Sequence, residues 1–110
     1  NYYKKKTKDF LEKQGFMCEY LEKLQRIYDK GKIIFVKRDI FASDILAVNK
    51  EKIIFVQVKS GSKNTGINYK KAIDEFLKYP FPEFVDRWII IWKEKQKEPQ
   101  IIDIKEVIKK

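Results

Sequence analysis

The hydrophobic period changes several times along the chain, and each change marks an element. From Tyr2 to Gln14, Tyr3, Phe10 and Leu11 fall on one helical face, and Gly15 supplies the stop. Lys4, Lys5, Lys6 and Lys8 are expected to line the opposite, solvated side. From Phe16 to Tyr28 two periods compete. Tyr20, Leu21, Leu24, Ile27 and Tyr28 have helical spacing, while Met17, Glu19 and Leu21 alternate against Cys18, Tyr20 and Glu22. A strand starting at Phe16 is the preferred reading. Gly15 has just ended a helix, and Lys32 to Val36 offers a β-rich partner across a turn at Asp29-Lys30-Gly31.

Ile45–Val48 and Ile53–Lys59 read as a β-hairpin turning through Asn49 to Lys52. Its second strand is apolar on both faces for most of its length, which marks a central strand covered on both sides. Ser60 to Asn68 is a polar loop containing Gly61 and Gly66, the expected substrate-touching segment. Asn68 is expected to cap a helix running to about Tyr79, with Tyr69, Ile73, Phe76 and Leu77 buried and Pro80 ending it. Arg87 to Lys93 carries Trp88-Ile89-Ile90-Ile91-Trp92, a buried strand whose tryptophans belong to the core rather than to base stacking. After a charged turn from Lys93 to Pro99, Gln100 to Asp103 reads as an edge strand. Asp103 with Glu106 resembles a capping box for a short last helix. The order is helix, strand, strand, strand, helix, strand, with a small strand and helix appended. It describes an α/β fold in a single domain over residues 1–110. Because Asn1 is not a methionine, residues upstream of it are expected.

Composition narrows the chemistry. The formal charge is +9 and the pI about 9.5, which favours a polyanionic partner, nucleic acid ahead of an anionic membrane. There is no histidine, so histidine general bases, histidine-pair ribonucleases, HNH-type nucleases and histidine-containing zinc sites are excluded. Cys18 is the single cysteine. No intramolecular disulfide can form, which fits a reducing cytoplasm, or the host cytoplasm for a viral protein. Cys18 itself reads as a small buried hydrophobe. No apolar run approaches a membrane span and no signal peptide is visible, so no membrane partner is expected.

The remaining signal lies on the hairpin. Asp44 opens its first strand, and Gln57 and Lys59 lie two residues apart near the end of the second. Alternation points Gln57 and Lys59 the same way, and a turn at Asn49 to Lys52 sets Asp44 directly opposite Gln57. One carboxylate, one amide and one ammonium at one end of an apolar hairpin point to a magnesium-dependent phosphodiesterase site.

The stretch Arg38-Asp39-Ile40-Phe41-x-x-Asp44-Ile45-Leu46-Ala47-Val48, followed by Val56-Gln57-Val58-Lys59-Ser60-Gly61, resembles the PD-(D/E)XK nuclease superfamily. Within it the chain looks most like the archaeal Holliday-junction-resolvase and small phage nuclease branch. The likeness covers roughly Tyr2 to Trp92. It implies a restriction-endonuclease-like αβββαβ core, with a mixed central sheet flanked by helices. It further implies a metal-dependent DNA endonuclease acting in junction resolution, repair or restriction on duplex or branched DNA, as a homodimer. By resemblance Asp44 is the bridging carboxylate and Gln57 takes the second ligand position for Mg²⁺ or Mn²⁺. The carbonyl of Val58 completes the protein ligands, and Lys59 sits near the scissile phosphate.

Two departures stand out. Gln57 occupies the usual glutamate position, and the place of a first-helix glutamate falls near Lys4. Asp39, in the segment leading to Asp44, is the best substitute ligand. Lys63, Asn64, Asn68, Lys70 and Lys71 follow the site strand and are candidates for backbone contacts to nucleic acid, with RNA open beside DNA. The rival reading is a nuclease-fold DNA-binding module with weak or no catalysis.

Overall fold

The computed structural model describes residues 2–61 and 69–108, and the side chains of all of these except 22, 23 and 36–39. The first helix, α1 (Tyr2–Lys13), buries Thr7 and Leu11. It ends in a Schellman turn. The Phe16 amide donates to the Leu11 carbonyl at 3.1 Å and the Gly15 amide to the Glu12 carbonyl at 3.1 Å. Gly15 has φ of 96°, the left-handed conformation that this turn demands.

Five strands form one mixed sheet in the order β1-β4-β5-β6-β7: β1 (Met17–Tyr20), β4 (Ile45–Val48), β5 (Ile53–Gly61), β6 (Asp86–Lys93) and β7 (Gln100–Asp103). All neighbours run antiparallel except β5 and β6, which α2 (Tyr69–Leu77) connects in parallel. The hairpin register is as the turn predicts, with Ile45 against Val56 and Val48 against Ile53. Asn49 fixes it, its Oδ1 accepting from the amides of Glu51 and Lys52 at 2.8 and 2.7 Å.

Strand alternation divides the core into two layers. On one face Cys18, Ile45, Ala47, Ile54, Val56, Ile90 and Trp92 pack with Leu11 of α1. On the other, Ile89 and Ile91 pack with Ala72 and Phe76 of α2 and with Ile104 of the short α3 (Ile104–Ile108). Burial pushes the Cys18 thiol pKa up, and the nearby Glu12 carboxylate pushes the same way. Trp92 is core as expected, and its indole donates to the Thr7 hydroxyl at 2.7 Å. That hydroxyl donates in turn to the Tyr3 carbonyl at 2.7 Å. Trp88 is half-buried against Phe16. Asp103 Oδ1 accepts from the Lys105 amide at 3.0 Å and so caps α3.

Three expectations are corrected. The segment from Phe16 to Tyr28 is not one strand. It breaks after Leu21, whose amide makes one more bond in the β1–β4 register, to the Asp44 carbonyl at 2.8 Å. Its first half joins the sheet edge. Its second half, β2 (Glu22–Asp29), pairs only with β3 (Lys32–Asp39) in a separate two-stranded ribbon. Lys30 and Gly31, both at positive φ, make the ribbon's two-residue turn. The αβββαβ order therefore holds for the sheet, with the ribbon inserted between β1 and β4.

In α2 the buried positions are Ala72 and Phe76, while Tyr69 and Leu77 are exposed. Ala72 and Phe76, four residues apart, face the sheet, and Tyr69 and Leu77 fall off that stripe. In α1 only Lys5 of the four lysines is fully exposed. Lys6 lies over the Trp92 ring at 4.6 Å, Lys8 over Tyr20 at 5.1 Å, and Lys4 is ion-paired.

Candidate functional site

The site is built where β4 begins beside the middle of β5. Just before it, Ile40 to Ser43 forms a tight turn closed by the Ser43 amide on the Ile40 carbonyl at 3.0 Å. Its two central residues, Phe41 and Ala42, have φ of 50° and 60°. Neither is glycine, so the turn stores about 1–2 kcal/mol per residue. Burial of Ala42 and ring contacts from Phe41 to Phe55, Tyr79 and Phe81 hold it.

The next residue but one is Asp44, only 5% exposed. Its amide donates to the Val56 carbonyl at 2.8 Å and its carbonyl accepts from Leu21, so the backbone continues the ladder on both sides. Its carboxylate continues the ladder in another way. Beyond Val56 the β5 edge has lost its β4 partner, and Asp44 Oδ2 accepts the Val58 amide at 2.8 Å in place of a strand carbonyl. Asp44 Oδ1 meets Lys4 Nζ of α1 at 3.4 Å.

Gln57 is 3% exposed on β5, opposite Ile89 of β6. Its Nε2 donates to Glu75 Oε2 of α2 at 3.2 Å, and its Oε1 is buried with no partner. A carboxylate can only accept, so the contact with Glu75 fixes which end of the amide is which. Lys59, half-buried and two residues on, forms no ion pair among the described residues. No hydrogen bond joins Asp44 to Gln57. The Asp44 carboxylate lies at the β5 edge, where Lys4 of α1 meets it, and Gln57 contacts Glu75 of α2.

The other expected residues fall as follows. Asp39 ends β3, where it pairs with Glu22 in the ladder, and its side chain is outside the described set. Lys63, Asn64 and Asn68 lie outside the described residues altogether. Lys70 and Lys71 are exposed on the first turn of α2. Glu75 escaped notice in the sequence. It lies three residues after Ala72 on the stripe that α2 turns to the sheet, a stripe hidden by weighting the larger Tyr69 and Leu77.

Among the described residues no group of three or more Asp, Glu, Cys or His side chains converges as a metal site. A hard divalent cation does not need one, because Mg²⁺ is commonly held by one or two carboxylates together with waters and substrate phosphate. The donors near β5 are all oxygen, and the orphaned buried Oε1 of Gln57 is an acceptor lacking a partner. This donor set fits Mg²⁺ or Mn²⁺.

Against known proteins, no family model matches this sequence, and neither does any curated protein. Among solved structures, Hjc of Archaeoglobus fulgidus, described as a Holliday junction resolvase from an archaeal hyperthermophile, superimposes over 96% of this chain and 76% of its own. The TM-score is 0.56 at 14% identity. The chain shares the fold of that resolvase. A second structure, that of the protein SSO0001, matches 87% of this chain with a TM-score of 0.48 at 18% identity. This chain spans 46% of the length of that protein. The mixed sheet flanked by helices is the architecture of Hjc. No described helix is long and apolar enough to cross a membrane.

Proposed function

We propose that the chain is a metal-dependent DNA endonuclease of the PD-(D/E)XK type, acting in junction resolution, repair or restriction. One observation carries this reading. Asp44 is buried at the start of β4, its carboxylate fixed on the Val58 amide, beside the strand that bears Gln57 and Lys59, in a chain with the fold of a junction resolvase. Asp44, Gln57 Oε1 and the Val58 carbonyl would hold Mg²⁺ or Mn²⁺, with Asp39 as a further candidate. When bound, such an ion polarises the scissile phosphate and lowers the pKa of a coordinated water.

The chain's own residues do the rest. The Val58 amide holds the Asp44 carboxylate in one orientation. Lys59, which forms no ion pair among the described residues, would place an ammonium where negative charge builds at the phosphate. Exposed Lys70 and Lys71, with Lys63, Asn64 and Asn68, would contact the phosphate backbone. Symmetric cuts across a branched duplex need two sites, so the working unit on this reading is a homodimer. The ribbon supports it, since Leu24, Tyr28, Ile33 and Phe35 are all exposed there.

A second reading is favoured by a specific contact. The Lys4 ammonium already neutralises Asp44, and Gln57 lacks the charge of a glutamate, as expected of a nuclease fold that binds DNA without cutting it. The deciding experiment is cleavage of supercoiled plasmid and of a synthetic four-way junction with Mn²⁺, wild type beside Lys59→Ala. Cleavage by the wild type that falls at least 100-fold in the variant supports the nuclease. Equal, salt-dependent DNA binding by both proteins with no cleavage by either supports the binding module.

A further inference from the structure

Glu75 is a half-buried carboxylate with no cationic partner among the described residues, in a chain of net charge +9. Its one hydrogen bond is to the amide of Gln57. That amide is the neutral group standing where a carboxylate is expected, and its other end, Oε1, is buried and unpaired. These observations account for one another.

We propose that Glu75 is the positioning carboxylate of the metal site and supplies from α2 the negative charge that β5 lacks at Gln57. The inference rests on reading Asp44 and Gln57 as the metal-holding end of the site. An isolated glutamine can present either end of its amide, and only the oxygen can ligate a cation. Glu75 accepts from Nε2 and so commits Oε1 to the opposite direction. The buried Oε1 has no partner, and a divalent cation would satisfy it. Glu75 also restores the charge balance. Lys4 offsets Asp44, and Glu75 is the carboxylate the described residues bring to Gln57. A carboxylate that orients a ligand through a hydrogen bond typically changes metal affinity by about 10–100-fold when removed.

Asp74 is an internal control. It is the neighbouring acid on the same helix and is exposed to solvent, so its neutralisation changes the net charge equally without touching Gln57. Calorimetric titration of Mn²⁺ into the purified full chain tests the inference without any cleavage assay. Wild type, Asp44→Asn, Glu75→Gln, Asp74→Asn and the exchange Gln57→Glu with Glu75→Gln are compared, each after its thermal midpoint confirms folding. The expected result is a 10–100-fold weaker affinity for Glu75→Gln and less than a threefold change for Asp74→Asn. In the exchange variant, where the amide and carboxylate trade places across the same hydrogen bond, the affinity returns to within threefold of wild type.

Binding that is lost in Asp44→Asn but is no weaker in Glu75→Gln than in Asp74→Asn overturns the role of Glu75 and leaves the metal reading standing. An exchange variant as weak as Glu75→Gln also overturns it. If the wild type takes up no Mn²⁺ at all, the metal reading fails and the role of Glu75 falls with it.

Discussion

Thr7 shows how much a single hydroxyl can decide. It lies in the middle of α1, accepts a hydrogen bond from the Trp92 indole N–H and donates its own O–H to the Tyr3 carbonyl. The Trp92 end of this relay is buried and the Tyr3 end partly so. Replacing Thr7 with valine keeps the volume and leaves the Trp92 N–H buried without an acceptor. The expected loss is about 1–3 kcal/mol of unfolding free energy, with Thr7→Ser retaining most of it. Urea denaturation measures both, and a valine variant as stable as wild type would show that the relay carries no net stability. At this same scale the sequence was legible wherever chemistry is carried by residue type and local register. The pairing of Ile45 with Val56 follows from a turn that Asn49 announces. Glu75 and the Lys4 contact were not legible, because both depend on helices meeting the sheet from opposite sides.

Elements were legible where one period ran unbroken and a terminator followed. Helix α1 ends at Gly15, and β5, β6 and β7 stand where their apolar runs lie. The ambiguity from Phe16 to Tyr28 had a physical origin. The segment serves two sheets: Leu21 makes the last backbone bond toward β4, on Asp44, and Glu22 begins the pairing with β3, a change of partner that no side-chain pattern reports. The ribbon that results is unusual as an element. Paired positions place Leu24, Arg26 and Tyr28 on one face with Ile33 and Phe35, and the large apolar members of that face are exposed. A lone two-stranded hairpin is marginal in water, and an apolar face on it calls for a covering surface. On the homodimer reading a second copy covers it. Leu24→Lys with Phe35→Lys is then expected to halve the mass seen by sedimentation at tens of micromolar, while the thermal unfolding of the five-stranded sheet stays in place. A wild type already monomeric at that concentration would remove the ribbon from the interface.

At the scale of the whole molecule, shape and charge act together. The radius of gyration is 15.2 Å, against about 13 Å for a compact chain of this length, with a longest extent of 47 Å. The excess fits a ribbon that extends from the three-layer body. A chain of net charge +9 that binds DNA should do so largely by displacing counterions from phosphates, so affinity should fall linearly with salt on logarithmic axes. The exposed Lys70 and Lys71 lie on the first turn of α2, two turns or less from Glu75 on the same helix. If both contact phosphates, Lys70→Ala with Lys71→Ala should reduce that slope by about 2 and weaken all sequences alike. Fluorescence anisotropy on duplex and four-way junction, across a salt series in EDTA and again with Ca²⁺, reads the slope with and without a non-cleaving dication. An unchanged slope in the double variant would move the phosphate contacts elsewhere. An affinity indifferent to salt would mean that the lysine content of this chain is a matter of composition and not of a polyanionic partner.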